Sequence, residues 1–238
     1  MNRKINIFMN KPFKLFKMKN IYRILTISVL FIISCSSGGD DSSDLNDSGD
    51  NNQTGQSADL FFSEYSEGSS FNKYIEIYNP NPNSVDLSNY QIKGTNNGTT
   101  WGDNGERELS LTGTLAANSV YVICADAADQ AILDKANLPL AYESPVHFNG
   151  NDAIGIFGKD SSGEFSVIID VIGNLTDPGT GKGWSVAGTE NATVDHTLVR
   201  KNSINQSNSD WNSSSGSSVS NSEWEVKNKG DWTSLGNR

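Results

Sequence analysis

From residue 58 onward the chain is written in short apolar runs separated by polar turns. Residues 73–78 alternate, with Tyr74, Glu76 and Tyr78 on one face and Ile75 and Ile77 on the other. That period of two is the pattern of a strand with one face in a core. Comparable runs rich in aromatic and β-branched residues predict strands over 60–65, 90–93, 108–111, 120–125, 153–157, 167–172 and 197–200. One helix is expected over 127–136, with Ile132 and Leu133 facing the sheet. Asn79-Pro-Asn-Pro-Asn83 is a turn, because proline and asparagine there punctuate rather than pair. Residues 202–222, mostly Ser and Asn, predict a long surface loop that Trp211 could pin. Many short strands between Gly, Asn and Asp turns predict an all-β sandwich or barrel. No fixed-period repeat runs through them, and about 180 residues suffice to bury one core.

The front of the chain follows another rule. Residues 24–34 read Ile-Leu-Thr-Ile-Ser-Val-Leu-Phe-Ile-Ile-Ser and end at Cys35. The run falls short of the roughly 20 residues that span a bilayer. Arg3, Lys4, Lys11, Lys14, Lys17, Lys19 and Arg23 precede it, so it reads as a secretion signal, the alternative being a buried N-terminal helix. Met18 offers a second, more ordinary start. Ile32-Ile33-Ser34-Cys35 resembles the lipobox of bacterial lipoproteins. The resemblance implies cleavage between Ser34 and Cys35, then acylation of the Cys35 thiol and its new amino group. At about 0.8 kcal/mol per buried CH₂, several acyl chains would hold the protein on a membrane without a spanning helix.

The expected organisation is a signal over 1–34, an acylated cysteine with a disordered acidic tether over 35–57, and a β-domain over 58–238. The tether is almost wholly Ser, Gly, Asp, Asn and Gln, and carries Asp40, Asp41, Asp44, Asp47 and Asp50. It lacks the Glu and Gly positions of a calcium-binding EF-hand. Acidic residues just behind the cysteine also resemble the surface-export signals of lipoproteins in the Bacteroidetes group. That implies a lipid-anchored location at the outer membrane or cell surface.

Charge changes the picture once the leader is removed. The chain has 18 basic and 28 acidic residues, and seven of the basic ones lie before Cys35. The remainder keeps 11 basic against 28 acidic residues, a net charge of −17. A field of that sign repels phosphate backbones, so nucleic-acid binding would need a local basic patch or divalent cations. With Cys35 acylated, Cys124 has no partner for an intrachain disulfide. It sits in the apolar run 120–125, where a buried small hydrophobe is expected rather than a nucleophile.

Taken in order, these segments resemble the lamin-tail domain, an immunoglobulin-like β-sandwich. Phe62-Ser-Glu-Tyr-Ser-Glu-Gly-Ser-Ser-Phe-Asn-Lys-Tyr-Ile-Glu-Ile-Tyr-Asn79 is similar to the family's first two strands, and Val85-Asp-Leu-Ser-Asn-Tyr90 to its next segment. Leu115-Ala-Ala-Asn-Ser-Val-Tyr-Val-Ile123 resembles the middle strand. Phe148-Asn-Gly-Asn-Asp-Ala-Ile154, Ile169-Asp-Val-Ile-Gly173 and Thr197-Leu-Val-Arg-Lys201 continue the pattern. Glu223-Trp-Glu-Val226, Trp232 and Leu235-Gly236 resemble the end of bacterial copies, some attached to secreted nucleases. The same residues have plain physical readings. Asn72 and Asn79 can satisfy free backbone groups, Gly150 and Gly173 allow backbone angles closed to other residues, and Asp152 can cap the turn before 153. Glu64 and Glu76 are expected to face solvent or to pair with Lys73.

Candidate chemistry is sparse. His147 and His196 are the only histidines, too few for a zinc site without other ligands. Gly183-Trp-Ser-Val-Ala187 misses the nucleophile elbow at its last position. Pro178-Gly-Thr-Gly-Lys-Gly183 misses a phosphate loop at both ends, and both segments are expected to be turns. Asp170 with Asp177, and Glu64 with Glu67, are candidate calcium pairs. Trp101, Trp184, Trp211, Trp224 and Trp232 lie in or near loops; core or loop-pinning roles are expected of them rather than sugar stacking. No catalytic residue, cofactor or metal site is assigned. The expectation is a membrane-anchored envelope module that binds or displays, without catalysis, taking a glycan, protein or nucleic-acid ligand. The alternatives are a nuclease-related or glycan-related enzyme or accessory, and a structural envelope component.

Overall fold

Strands β1 (Phe61–Glu67), β2 (Lys73–Tyr78), β3 (Val85–Asp86), β4 (Tyr90–Gly94), β5 (Glu108–Ser110) and β6 (Thr114–Leu115) come first along the chain. Strands β7 (Val120–Ala125), β8 (Leu138–Leu140), β9 (Ile154–Lys159), β10 (Phe165–Ile172), β11 (His196–Arg200) and β12 (Trp224–Asn228) follow, with helices α1 (Gln130–Leu133) and α2 (Trp211–Ser215). The structure is a computed structural model that describes residues 59–97, 100–102 and 107–238. Ser34, Cys35, the expected signal and the tether lie outside these residues.

Two sheets stack into a β-sandwich, one of six strands in the order β12-β11-β1-β2-β7-β8 and one of four in the order β10-β9-β4-β5. Strands β3 and β6 form a separate two-stranded ribbon. The main core fills the space between the sheets, with Phe62, Tyr65, Ile75, Ile77, Ile123 and Leu198 from one side meeting Ile92, Ile154, Ile156 and Val171 from the other. Phe62 and Tyr65 are three residues apart, which strict alternation would put on opposite faces. A bulge between Phe62 and Glu64 inserts the extra residue that brings both rings inward.

The six-stranded sheet is also covered on its outer face. Tyr74, Val122 and Cys124 pack there against Ala128, Ile132 and Leu235. Burial of β1 is therefore complete on both faces. Cys124 is free and fully buried, and burial with the nearby Asp126 pushes its thiol up to about 11. The buried-hydrophobe reading of this residue holds.

The expected helix over 127–136 is shorter than its pattern suggested. Asp129 caps α1 by accepting from the Ala131 amide, and Ile132 is buried as foreseen. Asn137 then docks on β7, its amide donating to the Val122 carbonyl and its side-chain oxygen accepting from the Val122 amide, which ends the helix. Strand β8 contains Pro139 and pairs in parallel with β7 at the sheet edge, where a missing amide donor is tolerated. The loop over 202–222 contains α2, capped by Asp210, with Trp211 buried beside Trp224 at a ring separation of 6.4 Å.

Candidate functional site

Strand register sorts the loops onto two ends. Glu67 pairs with Lys73, Gly94 and Ile172 both pair with Ile154, and His196 pairs with Asn228. The connections 68–72, 141–153 and 173–195 therefore gather at one end, together with the start of 126–137 and the described part of 95–107. The chain enters at the other end, where Phe61 pairs with Tyr78 and the Tyr90 hydroxyl donates to Asp59 Oδ1 at 3.4 Å.

An aromatic group crowns the loop end. Phe71, 41% exposed, meets the His147 ring edge-to-face at 6.1 Å, and Tyr142, 72% exposed, does so at 5.3 Å. His147 itself is buried. Its Nδ1 bonds the Ser144 hydroxyl at 2.9 Å, whereas Nε2 has no hydrogen-bond partner among the described residues. Burial and the neighbouring Arg107 push the imidazole below its ordinary pKa, so it is neutral at pH 7. Arg107 Nη1 fixes the loop beneath by donating to the carbonyls of Ser144 and His147. Asn72, beside Phe71, is held where its side-chain oxygen accepts from the Asp129 amide at 2.7 Å.

A polar network stiffens the rest of this end. Asp152 accepts from the amides of Asn97 and Asn149, and Asn151 Nδ2 donates to Asn97 Oδ1 and Asp177 Oδ1. The Thr193 hydroxyl donates to the Gly150 carbonyl at 2.7 Å and accepts from the Trp184 amide. Gly150 has φ of +85°, and a Cβ there would lie 2.3 Å from Val194 Cγ2. Only glycine fits that turn. The result is a rigid platform on which Phe71 and Tyr142 stand clear of the surface.

The family profile described as Lamin Tail Domain matches residues 53–175, more than half of the chain. The chain belongs to the lamin tail domain family. No curated protein matches it. The match covers β1 to β10, and β11 and β12 complete the six-stranded sheet of the same immunoglobulin-like sandwich.

Within this lamin tail domain the candidate calcium pairs are not brought together. Asp170 is fully buried, accepting from Arg200 Nη1 at 2.8 and 2.9 Å and from the amides of Phe62 and Asn208. Burial raises its carboxyl to about 6 against the opposing pull of Arg200. Asp177 instead serves Asn151 and the Gly179 amide. Glu67 pairs with Lys73 and accepts from the Asp195 amide, whereas Glu64 bonds the Tyr74 and Ser234 hydroxyls. No group of three or more potential metal-ligating side chains occurs among the described residues.

Another expectation is corrected. Glu64 and Glu76 do not face solvent and do not pair with Lys73; both are buried beneath residues 234–236. The core and loop-pinning roles expected of the tryptophans hold. Trp211 and Trp224 are buried, Trp101 and Trp184 pack against the main core, and Trp232 packs on the outer cluster. His147 and His196 serve separate places, the latter bonding the Val194 carbonyl through Nδ1. The near-motifs at 178–183 and 183–187 are turns, with a Lys182–Gly179 backbone bond in one and a Val186–Thr189 bridge beside the other. Phe71 and Tyr142 were missed as surface residues. Their only sequence signal is an aromatic flanked by Ser, Asn or Glu between two strands.

Proposed function

We propose that the chain is an envelope lipoprotein whose lamin tail domain binds or displays at the cell surface without catalysis of its own. Cleavage between Ser34 and Cys35 and acylation of Cys35 anchor it, and residues 36–57 act as the tether. The single observation that carries this reading is the placement of the chain's entrance and the aromatic group at opposite ends of the sandwich. A domain attached through its base presents Phe71 and Tyr142 outward, on loops held by a rigid scaffold. An exposed aromatic pair over a neutral imidazole suits contact with a protein or glycan surface.

Labelled palmitate tests the anchor. The wild-type protein should take up label and sediment with membranes, while Cys35→Ser should do neither; equal labelling of both would sink the lipoprotein assignment. Retention on immobilised envelope glycans and proteins, compared with Phe71→Ser and Tyr142→Ser, tests the binding face. Labelled duplex DNA with calcium or magnesium tests the rest: cleavage by the purified protein would overturn the non-catalytic assignment.

A further inference from the structure

Residues 229–238 run back along the outer face of the six-stranded sheet, from the loop end to the base. Lys229 Nζ lies 2.5 Å from Asp195 Oδ1 at the first end. Leu235 is buried against Tyr74, Val122 and Cys124. Arg238 finishes the strap at the base, its guanidinium 4.8 Å from the Phe61 ring and 5.0 Å from the Tyr78 ring. It donates to the carbonyls of Arg200, Lys201 and Ile204.

Between these anchors the strap rests on two buried carboxylates. Glu64 and Glu76 are directly opposed across β1 and β2. Glu64 Oε2 accepts from the Ser234 hydroxyl at 2.7 Å, and Glu76 Oε2 accepts from the Gly236 amide at 2.7 Å. Their other oxygens take the Tyr74 and Ser63 hydroxyls. Neither carboxylate has an ion-pair partner within salt-bridge distance among the described residues. The charged groups facing Glu64 are Glu76 from β2, Lys227 from β12 and Asp231 from the strap itself; Arg238 faces Glu76.

We propose that the 229–238 segment is a proton-controlled strap, closed over the sheet when Glu64 is protonated and loosened when Glu64 ionises beside Glu76. Geometry supplies the coupling: the strap covers Glu64 and provides it with the Ser234 hydroxyl, the other partner being the Tyr74 hydroxyl of β2. Burial accordingly raises the Glu64 carboxyl to about 7, and Glu76 is raised for the same reason. An opened strap returns Glu64 to water, near its ordinary value of 4.5. The closed form thus binds the proton more tightly, and its advantage is complete below the ordinary value and lost as pH rises through about 7. Opening would uncover Tyr74, Val122 and Cys124 with the two carboxylates, an acidic and apolar face on a different side of the domain from the aromatic loop end.

Hydrogen exchange of the 229–238 amides in the purified full-length protein tests this, corrected for the intrinsic pH dependence of exchange. Protection should fall by on the order of tenfold to a hundredfold between pH 5.5 and 8, while the β7 amides stay protected. Glu64→Gln, which keeps hydrogen-bonding capacity without the charge, should hold the strap closed at both values. Ser234→Ala should lower strap protection at pH 5.5 and retain the pH dependence. An unchanged wild-type strap, an equal loss in Glu64→Gln, or no effect of Ser234→Ala at pH 5.5 would each overturn the proposal.

Discussion

Arg200 is the side chain whose loss the sandwich should tolerate least. It is fully buried on β11, and Nη1 reaches Asp170 of the opposing sheet at 2.8 Å, so one ion pair ties the two sheets together. Glu223 takes the second nitrogen, and the guanidinium lies 4.8 Å from the Trp224 ring and 5.4 Å from that of Phe61. Asp170 in turn holds the Asn208 amide, which fixes the end of the loop just before α2. Removing one member of a buried pair strands the other charge and costs about 3–5 kcal/mol. In a domain of this size each kcal/mol lowers Tm by about 2–4 °C, so Arg200→Met and Asp170→Asn should each lose roughly 6–20 °C. The double variant removes both fully buried charges and leaves only the part-exposed Glu223 without its cation, so it should recover about 2 kcal/mol relative to the sum of the singles. Thermal and urea unfolding of the four proteins completes the cycle. Single variants that melt within 3 °C of wild type, or a double variant at the simple sum, would refute the view that the pair acts as a unit; that threshold lies well under the roughly 6–20 °C expected.

Other positions test other parts of the structure. Because burial lowers the His147 pKa, its contribution to stability is complete above about 6.5 and is lost as pH falls; His147→Gln should flatten the acid limb of unfolding curves taken between pH 7 and 5. Gly150→Ala should cost about 2–4 kcal/mol, from positive φ plus the clash with Val194, as read by urea titration. Gly113→Ala shares the positive φ but meets nothing within 4 Å, so it should cost only about 1–2 kcal/mol. Phe71→Ser with Tyr142→Ser should change stability by under about 1 kcal/mol, while abolishing any retention on envelope ligands in a pull-down.

Strands were legible where alternation is clean. Ile75 and Ile77 against Tyr74 and Glu76 announce β2 without help, and the apolar run 120–125 coincides with β7. Strand β12 was not foreseen as a strand, because Glu225 and Lys227 dilute its hydrophobicity, as befits a sheet edge. Pro139 similarly disguises β8. The burial of Glu64, Glu76 and Arg200 could not be read locally. Each is covered by a segment far away in the chain, and polar residues in a strand suggest solvent until that cover is known. The aromatic group likewise depends on the meeting of 68–72 with 141–153, which no spacing along the chain reveals.

Strand β1 has a further consequence for how the protein is made. One of its two neighbours, β2, follows at once, but the other, β11, arrives late: Arg200 reaches the Phe62 carbonyl across 138 residues of intervening chain. Contacts of such separation are slow to form, since loop closure must precede any gain from pairing. A chain emerging from the ribosome would therefore hold β1 half-paired until nearly the whole domain had been synthesised. Under the proposed export, that delay favours threading through a translocation channel in an unfolded state and defers completion of the sandwich to the far side of the membrane.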